Sequence, residues 1–217
     1  MHLDRFAVIY FFALVVAVIL HEISHGVVAL WFGDDTAQRA GRLTLNPIPH
    51  IDPFGSIILP AMGALAHIPV IGWAKPVPVN PNRLRNQRRD MLLVSLAGPA
   101  TNLSLMLVAA YVARSLYEPS ALSILRGRVV LDELSLPVLV ALIFAQVNLF
   151  LGVLNLLPIP PLDGSALLER VLPQKWLPGW YRFRPYGIIV LFVLVFYVGL
   201  GSILDPFVRH LYSFILT

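Results

Sequence analysis

His21, Glu22, Ile23, Ser24 and His25 form an HExxH run inside an otherwise apolar stretch. On a helix the two histidines are four residues apart, about 400° of rotation, so they share one face and both imidazoles can reach one metal ion. Glu22 projects about 100° from His21, close enough to touch a water at the metal without being a ligand, which is the place for a general base. The chain has no cysteine, so a disulfide scaffold, a thiolate nucleophile and a thiolate metal site are excluded. Any metal must be held by His, Asp or Glu, and for zinc two histidines leave one protein ligand to be supplied from elsewhere.

Asp163 is the best candidate for that ligand. It lies among prolines at the end of an apolar run, where irregular backbone at membrane depth implies a protein-lined or watery cavity. Read alone, Asp163 ahead of Ala166-Leu167-Leu168 is also a helix N-cap. The remaining acids sit in loops or flank the ends of apolar runs, and Glu169 follows Asp163 on a helix with its own basic neighbour. His2, His50, His67 and His210 are single and read as terminus, loop or interface residues, with His50 and His67 the two that could stand behind the site.

The elements that must position these groups have lipid as their solvent. Of 217 residues, 58% are hydrophobic and 13% charged, about half the charged share of a soluble domain, and mean hydropathy is +0.77. At about 20 apolar residues per crossing, such a chain makes four or five helical spans and no separate soluble domain of ordinary size. The expected architecture is therefore all-α: a polytopic helical bundle forming one integral-membrane domain over residues 1–217. The net charge of +4 could suggest nucleic acid, but the basic residues sit in loops between apolar runs, where orienting a membrane protein is the simpler reading. Arg5 and the apolar run to Leu20 imitate a signal peptide, yet no small-residue cleavage site follows.

Four runs read as full spans: Phe6 to Phe32, Met91 to Val112, Leu134 to Leu157, and Tyr186 to Leu204. Residues Phe54 to Trp73 are apolar but carry Gly55, Pro60, Gly63, Pro69 and Gly72, which suits a re-entrant segment near the active site. Residues 41 to 46 alternate like a short strand, and Lys75 to Pro81 is extended because each proline pushes its predecessor out of the helical region. A zinc shared by His21, His25 and Asp163 requires the HEISH span and the Leu134 to Leu157 span to run parallel, as the re-entrant arrangement allows. It also places eleven of the sixteen Lys and Arg residues on one side, and the positive-inside rule then turns the active face toward the cytosol.

HEISH at 21–25, LTLNPIPHIDPFGSIILP at 43–60, GWAKPVPVNPNRLRN at 72–86, AGPATN at 97–102 and NLLPIPPLDG at 155–164, in that order, resemble the site-2 proteases. These are intramembrane zinc metalloproteases, and the likeness is to their short bacterial-type members. The resemblance implies His21, His25 and Asp163 as zinc ligands, Glu22 as general base, and Asn102 and Asn155 as polar residues near the cleft. It departs from longer relatives in having no PDZ-like or CBS-like domain and no additional span before HEISH. The expected activity is zinc-dependent hydrolysis of peptide bonds in single-span membrane proteins or membrane-retained peptides, in a bacterial-type cell membrane.

Such a substrate must unwind before cleavage, and Lys75 to Asn80 could offer it a sheet edge, or could be a rigid connector. Asn102 and Asn155 are placed to supply oxyanion donors or hold the substrate backbone, and equally suit hydrogen bonding between helices. The alternative function is a zinc-binding membrane protein without proteolysis, a metal carrier or a scaffold for other membrane helices. A carrier needs ligands at successive depths and no general base, whereas here a Glu stands beside a ligand.

Overall fold

The computed structural model describes residues 5–58, 62, 74–117 and 134–216. Most of the Phe54 to Trp73 segment, with His67, lies outside the described residues, as does His2. Among the described residues all regular structure is helical, and three helices are long and apolar enough to cross a membrane. They are α1 (Arg5–Trp31), α3 (Gln87–Leu116) and α4 (Leu136–Asn155), matching three of the four expected spans. The short α2 (Thr36–Arg39) follows α1.

The fourth expected span, Tyr186 to Leu204, is helical but divided into α7 (Gly187–Val193), a π-helical turn (Leu194–Gly199) and α8 (Leu200–Leu216). Gly199 has φ +78°, a left-handed conformation that resets the chain before α8. α8 then continues past Pro206, with Leu204, Leu211 and Ile215 buried at helical spacing. Two further short helices, α5 (Ser165–Val171) and α6 (Leu177–Phe183), lie between α4 and α7.

The chain divides into two compact units, one of residues 1–17 and 99–217, the other of residues 18–98. In the first, α4 is central: Val138, Leu139, Leu142, Ala145, Val147 and Leu149 are buried with Ala13 and Ala17 of α1, Ala109, Ala110 and Ala113 of α3, and Leu211 and Ile215 of α8. Alanine recurs because lipid offers no hydrophobic drive for helices to associate, so close backbone approach must supply the dispersion energy. Tyr10, Phe11, Phe12 and Val16 stay exposed on α1, as a lipid-facing surface requires.

Polar side chains fasten this unit. Asn102 is fully buried and its Nδ2 donates to Asn148 Oδ1 at 2.8 Å, while Asn148 Nδ2 donates to Phe144 O at 2.9 Å. Tyr212 donates to Gln146 Oε1 at 3.0 Å. An Asn102→Ala change leaves Asn148 without this donor and is expected to cost about 1–2 kcal/mol. Thermal unfolding should show that loss with KM unchanged, whereas a raised KM at wild-type stability would make Asn102 a substrate contact.

In the second unit α1 ends at a left-handed glycine, Gly33 with φ +103°, whose N–H caps Leu30 O. Asp34 follows, fully buried, and its carboxylate accepts from the N–H and hydroxyl of Thr36 and from the Asn80 N–H at 2.6 Å. Ala29, Leu84 and Val94 form a small core with Val28, Phe32, Val79 and Met91 packed against it. α3 starts with a reciprocal cap in which the Asn86 N–H donates to Asp90 and the Arg89 N–H donates to Asn86. Asp35 pairs with Arg39 and Arg83. Desolvation raises its carboxyl pKa, but the hydrogen bonds and charges of the two arginines outweigh that and hold it below its ordinary value.

The strand expected at residues 41 to 46 does not form. Local side chains take the bonds a strand partner would need: His50 Nε2 bonds Thr44 O at 3.0 Å, Thr44 Oγ1 accepts from the Asn46 N–H, and Asn46 Oδ1 accepts from the Ile48 N–H. Residues 74 to 80 are extended as their prolines dictate, and among the described residues they have no sheet partner.

Candidate metal centre

Both histidines of the motif are buried on one face of α1, with Nε2 atoms 3.1 Å apart and ring planes at 84°. His25 Nδ1 is 2.7 Å from Val94 O. A carbonyl only accepts, so Nδ1 carries the proton and Nε2 presents its lone pair. Two imidazole nitrogens on one tetrahedral zinc, each at about 2.0–2.1 Å, would stand about 3.3 Å apart. The observed separation fits that demand, and fixing the far ring nitrogen on a carbonyl is how metal-binding histidines are oriented.

The closeness of α3 to this pair depends on Gly98. A Cβ there would lie 2.5 Å from His21 Cε1, 2.5 Å from His25 Nε2 and 2.6 Å from His21 Nε2. The glycine of the AGPATN stretch is thus the roof of the imidazole pair, and any side chain would occupy the space at their Nε2 atoms. The site's donor chemistry and its cradle both fit zinc.

Glu22 is half-buried, and its Oε2 accepts the Val77 N–H at 2.8 Å. Its placement beside the histidine pair, with a main-chain donor on one oxygen, suits a base that handles protons rather than a ligand. His50 is buried, bonds Thr44 O through its ring and accepts the Lys75 N–H on its carbonyl, so it supports the extended 74 to 80 segment.

Asp163 belongs to the other unit, in the turn that follows α4. It is half-buried with Oδ2 fully so, and the N-cap of α5 is Gly164, so Asp163 is not the capping residue. Gly164 is required there: its N–H donates to Asn155 O at 2.6 Å, and a Cβ would collide with the Leu156 carbonyl. The D-G pair therefore records a chain that folds back tightly on the end of α4. Asn155 is half-buried and its Nδ2 donates to Leu151 O at 3.0 Å.

Sequence reasoning did not single out Val77, whose contribution is a backbone N–H invisible in residue type, nor Asn148, which is one amide among many. The prolines on both sides of Val77 were the available signal, since they leave it the only donor in a three-residue stretch.

Residues 9–198 match the family described as Peptidase family M50. The chain is 38% identical over 189 residues to "Putative zinc metalloprotease YwhC" of Bacillus subtilis (strain 168), covering 87% of this chain and 80% of that one. It is 32% identical over 177 residues to "Putative zinc metalloprotease Rip2" of Mycolicibacterium smegmatis, covering 81% and 62%. The Rip2 protein of Mycobacterium tuberculosis H37Rv is 35% identical over 180 residues, covering 82% of this chain and 63% of its own. No solved structure matches the chain.

Proposed function

Because the chain belongs to peptidase family M50, the site-2 protease family of zinc metalloproteases, we propose that it cleaves peptide bonds inside the membrane, in single-span proteins or membrane-retained peptides. The observation that carries this reading is the His21 and His25 pair, 3.1 Å apart within a 27-residue helix apolar enough to cross a bilayer. Ionisable groups at such a position are costly and mark function. The proposed ligands are His21 and His25 of the HEISH run and Asp163 of the LDG run, two imidazoles and one carboxylate, the donor set a catalytic zinc takes.

Zinc, when bound, supplies the Lewis acidity that brings a water's pKa toward about 7 and polarises a carbonyl. Glu22 takes the proton from the attacking water as its oxygen adds to the scissile carbonyl carbon, then delivers a proton to the departing amine as the C–N bond breaks. His25 keeps its tautomer throughout because the Val94 carbonyl holds Nδ1–H. The protein is a zinc metalloprotease rather than a metal carrier, and a general base adjoining a ligand accords with that.

A transmembrane helix shields its carbonyls with its own hydrogen bonds, so the substrate must be extended at the cleavage point. Residues 75 to 80 offer it an edge. Pro76 and Pro78 have no N–H, so pairing on their side uses their carbonyls as acceptors. Asn155, at the end of α4, is the side chain we assign to the substrate backbone, and Asn102 to the helix interface with Asn148. The active face is toward the cytosol of a bacterial-type membrane, consistent with the bias of eleven Lys and Arg of sixteen.

The test is cleavage of a single-span substrate by the purified protein in lipid vesicles, with fragments mapped by mass. A cut within the span, abolished by stripping zinc and restored by adding it back, is expected. A cut confined to the substrate's soluble tails sinks the intramembrane reading, and cleavage indifferent to zinc removal sinks the metal site.

A further inference from the structure

We propose that the backbone N–H of Val77 is the positioning group for the Glu22 carboxylate, and that the Lys75 to Asn80 segment is fastened so as to present it. The inference rests on the reading of Glu22 as general base. A glutamate has three rotatable side-chain bonds, and one beside two metal-binding histidines can swing toward the metal or away from the water it must deprotonate. The Val77 N–H, 2.8 Å from Oε2, fixes one carboxylate oxygen and leaves the other for the water.

The donor is isolated by its neighbours. Pro76 and Pro78 have no N–H, so Val77 supplies the only main-chain donor from 76 to 78, and their restricted φ keeps the stretch extended. In an extended chain residues 75 and 77 face the same side, and both N–H groups go to protein acceptors: Lys75 to His50 O at 2.9 Å, Val77 to Glu22. Arg42 Nη2 holds Lys75 O at 2.6 Å, and Asp34 Oδ2 holds the Asn80 N–H at 2.6 Å. Arg42, His50 and Asp34 are all buried, so the segment is pinned on both sides of Val77 by groups that solvent does not loosen.

Helix α1 is shaped to receive it. Gly26 lies one turn after Glu22 on the same face, and a Cβ there would come 3.1 Å from Val77 Cγ1, 3.1 Å from Ala37 Cβ and 2.5 Å from Leu43 Cδ2. The missing side chain lets Val77, itself buried, sit against the helix within reach of Glu22. The pattern of a glycine four residues after the base and a valine between two prolines thus serves one hydrogen bond.

The experiment compares zinc-loaded full-length wild type, V77A, V77P and a variant whose Val77 is replaced by the matching α-hydroxy acid, which exchanges only the N–H for an ester oxygen. V77A, which keeps the N–H, should lose less kcat than V77P and the ester, which should each lose about 100-fold with KM and zinc content unchanged. Wild-type kcat in the ester overturns the proposal, and so does a kcat loss in the ester that is accompanied by loss of zinc. If V77P does not fold, the ester decides alone. E22Q in the same assay separates the two levels: an active E22Q removes Glu22 as base, whereas an inactive E22Q with an active ester removes only the role of Val77.

Discussion

Glu22→Gln should abolish peptide cleavage, with kcat lowered about 10²- to 10⁴-fold, while the protein stays folded and zinc stays bound. The substitution is nearly isosteric, and the amide oxygen of glutamine can still accept the Val77 N–H that Glu22 Oε2 accepts at 2.8 Å. It removes only the capacity to take a proton at the attacking water. Zinc should remain because the ligating imidazoles are set by other contacts: His25 is oriented by Val94 O at 2.7 Å, and His21 by its place one turn earlier on α1. Metal content by elemental analysis and turnover of a single-span substrate measure the two halves of the expectation. Residual cleavage near the wild-type rate would remove Glu22 from the chemistry, and loss of zinc would make it a ligand or a support for one.

Gly98→Ala should have an effect of similar size by a different route. The added methyl would sit 2.5 Å from His21 Cε1 and from His25 Nε2. Relief is available because those atoms are the far ends of side chains, so the imidazoles can rotate away and the helix can persist. Alanine in a helix interior is more favourable than glycine by about 1 kcal/mol, which works against unfolding. Rotation, however, separates the two Nε2 atoms from their 3.1 Å geometry and strains the His25 bond to Val94 O. The expected outcome is a folded protein whose zinc affinity falls by about 100-fold or more and whose activity falls with it. Zinc competition titration against a chelator of known affinity checks it, with the unfolding midpoint as the control. Wild-type zinc affinity in this variant would mean that α3 can move off the imidazoles without consequence.

These two positions differ in how they could be found. Glu22 is legible in the sequence, because the HExxH spacing and the 3.6-residue period put it beside two histidines on one helix whatever the rest of the chain does. Gly98 reads in the sequence, with Pro99 after it, only as a residue that permits close helix packing or a kink. That its missing Cβ faces the two Nε2 atoms follows from α3 crossing α1 at the histidine pair, a contact between residues more than seventy positions apart.

The division holds for the fold. Three spans are legible because 20 or so apolar residues have no other stable place, and the all-helical class follows from the need to satisfy backbone polar groups within lipid. The break in the last span at Gly199 was not legible, since a glycine in an apolar run is compatible with an unbroken helix until its φ is known. The strand pattern at 41 to 46 misled because alternation records only side-chain polarity, while His50 and Asn46 decide where the backbone bonds go.

The sequence by itself determined the membrane solvent, the helical class, the placing of His21, Glu22 and His25 together on one helix and the extended character of the proline-rich segment, all of which depend on composition or on neighbours within one helical turn. Only the tertiary structure decided that Val94 fixes the His25 tautomer, that Val77 holds Glu22, that Gly98 roofs the imidazoles and that Asn102 pairs with Asn148. Those partners are backbone groups, an absent side chain and one amide among several. Their identity is set by where packed helices bring distant residues together, and no local pattern carries that information.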